Sequence, residues 1–185
     1  MTDLSHLRVA VIATDAFEEQ ELTEPVKALR EAGARVDILS PQGGQIQAFR
    51  HHDKGVTVPV DRTLDEARPD EYDALELPGG ALNADQLRIL PEVQNFIKEF
   101  DRAGKPIAFI CHAPWELVSA GLVKGRTLTG YKTIQDDVTN AGGKWVDQEV
   151  CVDGNWVSSR QPDDIPAFNR EMLNLFAKSP AGARR

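Results

Sequence analysis

The stretch IAFICHAPW, residues 107–115, joins an apolar run typical of a buried strand directly to a segment typical of a helix. Cys111 stands at the junction. A thiol at the carboxyl end of a strand, with a helix beginning beneath it, lies where backbone N–H groups and the helix dipole favour an anion. The position therefore favours a reactive cysteine. The alternative is a structural cysteine, because free cysteines are among the most buried residues in proteins.

Strand and helix patterns alternate on both sides of this junction. Apolar, β-branched runs predict buried strands, and apolar residues at helical spacing predict the helices between them. The predicted strands cover residues 8–14, 36–39, 74–77, 107–110 and 127–129, and the predicted helices lie near residues 23–33, 93–100, 115–120, 133–141 and 165–176. This order predicts an α/β fold with a doubly wound, mostly parallel sheet of flavodoxin-like type and helices on both faces.

Two local features refine this prediction. Because proline is tolerated only in the first turn of a helix, we expect the first helix to begin near Thr23, or an earlier turn to bend at Pro25. A Gly-rich stretch at residues 43–55, followed by a β-branched run at residues 56–60, predicts a small hairpin off the main sheet.

The composition is that of a protein with a sizeable core: 185 residues, 41% hydrophobic and 27% charged, with a net charge of −8. We expect one domain over residues 1–185, with its core at about 8–178 and a loose tail at 179–185. The acidic balance argues against nucleic acid as a primary partner, because phosphate binding needs a basic patch. No apolar run reaches the ~20 residues of a membrane span, so we expect no membrane partner.

The two cysteines form neither a disulfide framework nor a zinc-binding spacing, and the N-terminus lacks the pattern of a secretory signal. We therefore expect a cytoplasmic protein with free thiols. Cys151 precedes a predicted hairpin turn at residues 153–155 and is expected to pack in the core. The four histidines also lack a metal-ligand spacing, so the sequence predicts no metal and no cofactor.

Three chemically interesting turns end predicted strands, at residues 15–19, 78–80 and 111–112. In a doubly wound fold, ligands bind beyond the carboxyl ends of the strands. We expect the three turns to meet at that edge, and this expectation strengthens the functional interpretation of Cys111.

The segment around Cys111 resembles a nucleophile elbow, a tight strand-to-helix turn that lifts a nucleophile above the sheet, with Phe109 and Ala113 in place of its glycines. The whole chain resembles the PfpI family of the class I glutamine-amidotransferase-like superfamily, which also contains the Parkinsonism-associated deglycase-type proteins. The resemblance covers about residues 8–176. It is carried by the segments DAFEE (15–19), LPGG (77–80), ICHAPW (110–115), DDV (136–138) and SRQPDDIP (159–166).

The resemblance implies that Cys111 is the nucleophile and that the carboxyl of Glu18 contacts its sulfur. Glu18 can assist only if it is protonated, because an ionised carboxylate would raise the pKa of the thiol by like-charge repulsion. Without the resemblance, the acidic surroundings of Glu18 would favour a solvated surface glutamate. His112 matches the adjacent histidine of the family, a candidate general base that the bend of the elbow would bring beside the thiol.

The resemblance assigns further positions. In peptidase-like members of the family, a third acid reaches the histidine from a neighbouring subunit. The matching residue here is Asp85, whereas those members carry glutamate. The spacing between the glycine pair and this acid is also one residue longer here than in those members. Asp85 could equally be an early helical carboxylate. Gly79 and Gly80 are expected at the substrate, with the backbone N–H groups of Gly80 and His112 forming an oxyanion hole. Tyr131 matches a pocket tyrosine, or is a half-buried aromatic at a strand end.

These assignments imply a stress-related enzyme in which the Cys111 thiolate attacks a small reactive carbonyl, such as glyoxal or methylglyoxal, or the adducts that these form on proteins. Such an enzyme would be a glyoxalase or a deglycase. One alternative is an intracellular cysteine peptidase of the PfpI type. Another is a redox or stress sensor without enzymatic activity, in which Cys111 is oxidised. The resemblance also implies a homodimer or a larger assembly of dimers.

Overall fold

Strands and helices alternate through residues 2–179, the part of the chain that the computed structural model describes. The strands are β1 (Arg8–Ile12), β2 (Phe17–Glu18), β3 (Arg35–Ser40), β4 (Gln45–Arg50), β5 (Asp53–Pro59), β6 (Arg62–Thr63), β7 (Ala74–Leu77), β8 (Ile107–Ile110), β9 (Thr127–Leu128), β10 (Lys144–Trp145), β11 (Cys151–Asp153) and β12 (Trp156–Ser159). The α-helices are α1 (Glu19–Glu31), α2 (Ala81–Arg88), α3 (Pro91–Arg102), α4 (Pro114–Ser119), α5 (Gln135–Asn140) and α6 (Ile165–Phe176). Short 3₁₀ turns cover Pro69–Glu71, Lys132–Ile134 and Pro162–Asp164.

The main sheet has the strand order β11-β12-β8-β7-β1-β3-β6. Its strands are parallel, except that β11 and β12 form an antiparallel hairpin at one edge. The strand carrying the Cys111 junction, β8, lies between β7 and β12. The chain starts the sheet with β1 and adds β3 and β6 on one side of that strand. It then adds β7, β8 and β12 on the other side, which is the order of a doubly wound fold.

The two faces of the main sheet carry separate clusters of buried apolar side chains. Val9 and Val11 of β1 belong to one cluster, and Ala10 and Ile12 belong to the other, because successive side chains of a strand point to opposite faces. The first cluster also contains side chains of α1 and α6, and the second contains side chains of α2, α3 and α4. Helices therefore cover both faces, and the predicted fold class is confirmed.

The first helix begins earlier than the sequence predicted. Because α1 starts at Glu19, the predicted start near Thr23 is wrong, and Pro25 lies inside the helix. Pro25 has no N–H to donate to the carbonyl of Glu21, four residues earlier. The hydroxyl of Thr23 donates to the carbonyl of Glu19 at 2.9 Å, which adds a side-chain hydrogen bond to the first turn. The earlier start gives Glu21 a helical orientation, and its side chain faces the core beside Leu22.

The predicted hairpin off the main sheet is confirmed, and it is longer than expected. β4 and β5 pair antiparallel, so that β4 occupies much of the stretch that was expected to be a Gly-rich loop, and β2 joins β4 in a three-stranded sheet. The predicted loose tail at residues 179–185 lies outside the described residues apart from Ser179. Within residues 2–179, every helix is too short or too polar to cross a membrane.

Two glutamates lie in the core without partners. Glu76 stands in the middle of the sheet, between Val11 of β1 and Ala108 of β8, and Glu116 lies on α4. Both are fully buried, and their carboxyl oxygens have no hydrogen-bond partner among the described residues. Burial raises the pKa of both groups well above the usual range, and the pKa of Glu76 is raised further because its ionisation would be opposed by any charge on Glu21 or Glu116. Both carboxyls are therefore neutral in the folded protein at neutral pH.

These two buried acids make the stability fall as the pH rises. The pKa of each acid is higher in the folded state than in the unfolded state. Their contribution to the free energy of unfolding is therefore complete below the unfolded-state pKa, and it is lost as the pH rises toward the folded-state pKa. The expected slope is about 1.4 kcal/mol per pH unit for each acid. We expect the Glu76→Gln/Glu116→Gln variant to show a shallower fall between about pH 5 and pH 8, measured by urea unfolding. The exposed Glu24→Gln variant is the control, and equal slopes in all three proteins would contradict the prediction.

The turn after β7 is held by a buried asparagine. Asn83 is fully buried, and its Nδ2 donates hydrogen bonds to the carbonyls of Pro78 and Gly79, each at 3.1 Å. Its Oδ1 accepts the backbone N–H of Thr14 at 2.8 Å. One side chain thus joins the turn at the end of β7 to the end of β1, and it fixes both at the carboxyl edge of the sheet.

Removal of this side chain takes one hydrogen-bond partner from each of three backbone groups, and of these the Gly79 carbonyl keeps the N–H of Glu18 at 3.3 Å. We expect Asn83→Ala to lower the free energy of unfolding by about 2–4 kcal/mol, measured by urea unfolding. Asn140→Ala is the matched control, because Asn140 is exposed at the end of α5, and we expect a change below about 0.5 kcal/mol. A loss for Asn83→Ala no larger than that of the control would show that the turn keeps its shape without the asparagine.

Candidate active site

Cys111 occupies a tight turn between β8 and α4. Its φ of +63° is in the left-handed region, which is uncommon for residues other than glycine. Two backbone hydrogen bonds hold it there: the N–H of Cys111 donates to the carbonyl of Ser159 at 3.0 Å, and its carbonyl accepts the N–H of Tyr131 at 2.7 Å. The turn therefore has the strained geometry of a nucleophile elbow, and neighbouring segments on both sides stabilise it.

The carboxyl of Glu21 lies against the Cys111 thiol. Glu21 is fully buried, and its oxygens meet no strict hydrogen-bond geometry with any described residue. The side chain nevertheless packs against both the Gly79 backbone and the Cys111 side chain. The thiol and the Gly79 N–H act to lower the pKa of this carboxyl. Burial, reinforced by the charge of Glu18, raises the pKa of Glu21 to about 8. Glu21 therefore carries a proton at neutral pH and can donate it toward the sulfur.

Glu18 does not make the contact with sulfur that the family resemblance suggested. Its Oε2 accepts the backbone N–H of His51 at 3.1 Å and lies 3.9 Å from Nδ1 of that histidine. Glu18 ends β2 at the mouth of the pocket, whereas the helix that follows turns Glu21 toward Cys111. The expected contact is therefore corrected from Glu18 to Glu21. The sequence analysis missed Glu21, although its helical spacing to Pro25 and Leu29 is a signal that could have placed it on the buried face of α1.

His112 lies directly beside the thiol. Its Nδ1 is 3.1 Å from the sulfur of Cys111. Burial lowers the pKa of His112, so the imidazole is neutral at neutral pH and one ring nitrogen can accept a proton. Burial raises the pKa of Cys111, and an ionised Glu21 would raise it further. The arrangement therefore favours a thiol that gives its proton to His112 over a thiolate that exists permanently.

Gly80 and His112 bring backbone N–H groups to the sulfur, and the glycines at 79 and 80 leave room for the close approach. The N–H groups of Gly80 and His112 both point to Cys111 and oppose the rise of its pKa. A Cβ at Gly79 would overlap the side chains of Glu21 and Cys111, and Gly80 has a φ of +94°, with backbone atoms of the β2 segment filling the space of a side chain. Both positions therefore require glycine. An oxyanion hole formed by these two N–H groups stays a prediction, which their position beside the sulfur supports.

The remaining predicted residues divide between the pocket and the surface. The Tyr131 ring stacks on the His112 imidazole, with centroids 4.9 Å apart and planes inclined by 27°. Asp85 is exposed on α2 and does not line the pocket of its own chain, so its approach to a histidine of a second copy stays a prediction. Cys151 is buried, with its sulfur 3.7 Å from the carbonyl of Thr127.

The pocket above Cys111 has a volume of about 500 Å³. Beyond the residues around the thiol, its rim is formed by the β4–β5 hairpin, with Arg50, His51 and His52, and by Pro162 and Asp163 of the last 3₁₀ turn. The volume suits a small molecule or the end of a modified side chain. Across residues 2–179, no three His, Cys, Asp or Glu side chains are grouped so that they could hold a metal ion.

Comparisons with known proteins place the chain in a family. A deglycase of Thermococcus kodakarensis is 46% identical over 170 residues, which cover 92% of this chain and 99% of the relative. A protein of Bacillus subtilis named as a putative cysteine protease is 42% identical over 169 residues, which cover 91% of this chain and 98% of the relative. The crystal structure of Drosophila melanogaster DJ-1beta superposes with a TM-score of 0.85 at 27% identity, covering 96% of this chain and 91% of that chain. Residues 7–175 match the model of the DJ-1/PfpI family, and the chain belongs to that family.

Proposed function

We propose that this protein is a cysteine-dependent enzyme of the deglycase or glyoxalase type, which acts on small reactive carbonyls or on the adducts that they form on proteins. The observation that carries the proposal is the buried thiol of Cys111, with the protonated carboxyl of Glu21 on one flank and Nδ1 of His112 at 3.1 Å. The relative from Thermococcus kodakarensis is named a deglycase, which supports the same reaction class.

In the first step of the proposed reaction, the sulfur of Cys111 adds to the aldehyde carbon while the thiol proton passes to Nδ1 of His112. Negative charge then develops on the carbonyl oxygen, and we expect the N–H groups of Gly80 and His112, which lie beside the sulfur, to stabilise it. A proton from Glu21 completes the hemithioacetal.

For an α-ketoaldehyde, the hemithioacetal then rearranges without a change in total oxidation state. A base removes the proton from the carbon that bears sulfur, and the neighbouring carbonyl carbon receives a proton. The hydroxyl group on the sulfur-bearing carbon loses its proton and becomes the thioester carbonyl, while the neighbouring oxygen gains a proton and becomes the hydroxyl group. The product is the thioester of a 2-hydroxy acid. Water hydrolyses this thioester, releases the acid and restores the Cys111 thiol. Glu21 and His112 are the groups close enough to the sulfur to transfer these protons.

A cysteine peptidase is the second candidate, since a relative from Bacillus subtilis carries that name. Amide cleavage needs an oriented base as well as protonation of the leaving amine. Among the described residues of one chain, no carboxylate forms a hydrogen bond to His112. A peptidase would therefore depend on Asp85 from a second copy, whereas carbonyl addition does not. A redox sensor at Cys111 is the third candidate, because the same carboxyl could hydrogen-bond an oxidised sulfur.

We also propose that the protein forms a homo-oligomer through α2. Leu82, on α2, and Ile89, the residue directly after this helix, expose 59% and 72% of their surface, and the helical spacing puts them on one side with Asp85. Exposed leucine and isoleucine on one helical face favour a protein interface. An interface there would carry Asp85 to the neighbouring copy.

Both cysteines are free, which supports a reducing compartment such as the cytoplasm.

The assignment of the acid can be tested with three variants. We expect Cys111→Ala to abolish methylglyoxal turnover. We expect Glu21→Gln to lower kcat by about 100-fold or more, because an amide cannot transfer a proton, and Glu18→Gln to lower it by less than about tenfold. The measurement is methylglyoxal loss together with formation of the 2-hydroxy acid.

Turnover that survives in Cys111→Ala would reject the enzymatic proposal. A larger loss in Glu18→Gln than in Glu21→Gln would reject the corrected assignment. Absence of turnover in the wild type, combined with selective addition of two oxygens to Cys111 in mild peroxide, would favour the sensor. Cleavage of a peptide panel that depends on Cys111 would favour the peptidase.

The proposed interface predicts a mass of at least two chains in light scattering. Leu82→Asp/Ile89→Asp should lower that mass, since two buried charges oppose association. Val152→Asp should leave it unchanged, because Val152 is also exposed, at 50%, but lies on the edge strand β11. A monomeric wild type, or an unchanged mass in the α2 double variant, would contradict the proposed interface.

A further inference from the structure

Trp115 contacts the imidazole of His112 and has no part in the chemistry described above. It lies in the first turn of α4, and its backbone N–H donates to the carbonyl of His112 at 3.1 Å. The centroids of the two rings are 5.2 Å apart, and their planes are inclined by 63°. This edge-to-face arrangement is favourable for aromatic rings. With Tyr131 stacked on the same imidazole, His112 contacts two aromatic rings while its Nδ1 faces the thiol.

The indole of Trp115 is itself fixed by polar contacts from two other helices. Its Nε1–H donates to Oδ2 of Asp137, on α5, at 3.0 Å. The guanidinium of Arg88, on α2, lies 5.1 Å from the ring centroid. Arg88 is held in turn by a hydrogen bond from its Nε to Oγ of Ser119 at 2.9 Å. Three helices therefore converge on one indole, which leaves it little freedom to rotate.

The orientation of the imidazole matters because its edges are not equivalent. Only a ring nitrogen without a proton can accept the thiol proton, so Nδ1 must face sulfur while Nε2 carries the hydrogen. A rotation of the ring by half a turn would place carbon, which accepts no proton, against the thiol. Aromatic contacts at two sides of the ring oppose such a rotation.

We propose that Trp115 and Asp137 are positioning residues for His112: Asp137 fixes the indole of Trp115, and the indole holds the imidazole with Nδ1 toward Cys111. This inference rests on the proposed function, in which His112 takes the proton of the thiol. Neither residue contacts the reacting sulfur. Both act through the orientation of His112.

A purely structural role of Trp115 and Asp137 would be the packing of α4 against α5. The structural role and the positioning role predict different activities for variants of these two residues. If Asp137 acts as a hydrogen-bond acceptor for the indole, Asp137→Asn retains an acceptor oxygen and should keep more than about half of wild-type kcat. Asp137→Ala and Trp115→Phe lose the hydrogen bond. Each should lower kcat by about tenfold, with KM changed by less than about twofold.

A second readout does not depend on turnover. The rate at which iodoacetamide alkylates Cys111, followed by mass spectrometry of the peptide that contains it, reports how readily the thiol loses its proton. We expect Asp137→Ala and Trp115→Phe to lower this rate about tenfold at neutral pH and to move its pH profile toward that of His112→Ala. In the His112→Ala background, Asp137→Ala should have no further effect, because its action passes through the missing imidazole.

Trp145→Phe is the matched control for the loss of an indole, since Trp145 lies on β10 outside the pocket, and it should leave both readouts unchanged. An Asp137→Ala effect of equal size in the His112→Ala background would overturn the proposal, as would wild-type alkylation profiles in Asp137→Ala and Trp115→Phe. A wild type without carbonyl turnover that shows the predicted alkylation profiles would reject the proposed function and keep the positioning role.

Discussion

The contact between the buried carboxyl of Glu21 and the thiol of Cys111 is the constraint on which the site depends. Two negative charges cannot share this enclosed space, so one proton must stay with the pair. A neutral carboxyl can donate toward sulfur, whereas an ionised one would repel a thiolate. The close approach requires a position without a Cβ at Gly79, and it requires α1 to begin early enough to turn Glu21 inward. The chemistry of the thiol is therefore set by backbone features of three separate segments.

The strand-and-helix alternation was predictable from the sequence because buried parallel strands are continuous apolar runs, such as residues 107–110. The elbow at Cys111 was predictable for the same reason, since the apolar run ends abruptly at the thiol. Glu21 was missed because Pro25 suggested a later start of α1, and that start left Glu21 outside the helix. Glu76 shows a different limit: a glutamate inside a buried strand contradicts the usual pattern, and only its surroundings show that it is neutral.

The site and the core next to it contain several features that oppose stability. Cys111 has a left-handed backbone, and Glu21, Glu76 and Glu116 are buried acids without strict hydrogen-bond partners in the described chain. Such features persist where the surrounding fold is strong enough to impose them. Here the sheet edge is held by Asn83 and by backbone hydrogen bonds on both sides of the elbow. Strain and rigidity thus occur together, as expected for a site that must hold a thiol, an acid and a base in fixed relative positions.

The central claim is that Glu21 is a neutral acid beside the nucleophile, and its titration can be observed directly. The side-chain carboxyl carbon of Glu21, assigned by comparison with Glu21→Gln, can be followed by carbon NMR as the pH is raised. The account predicts a midpoint near the value of about 8 that burial imposes on this carboxyl. A midpoint at the ordinary glutamate value of about 4.3 would mean that Glu21 is ionised at neutral pH, and the account of the site would be contradicted.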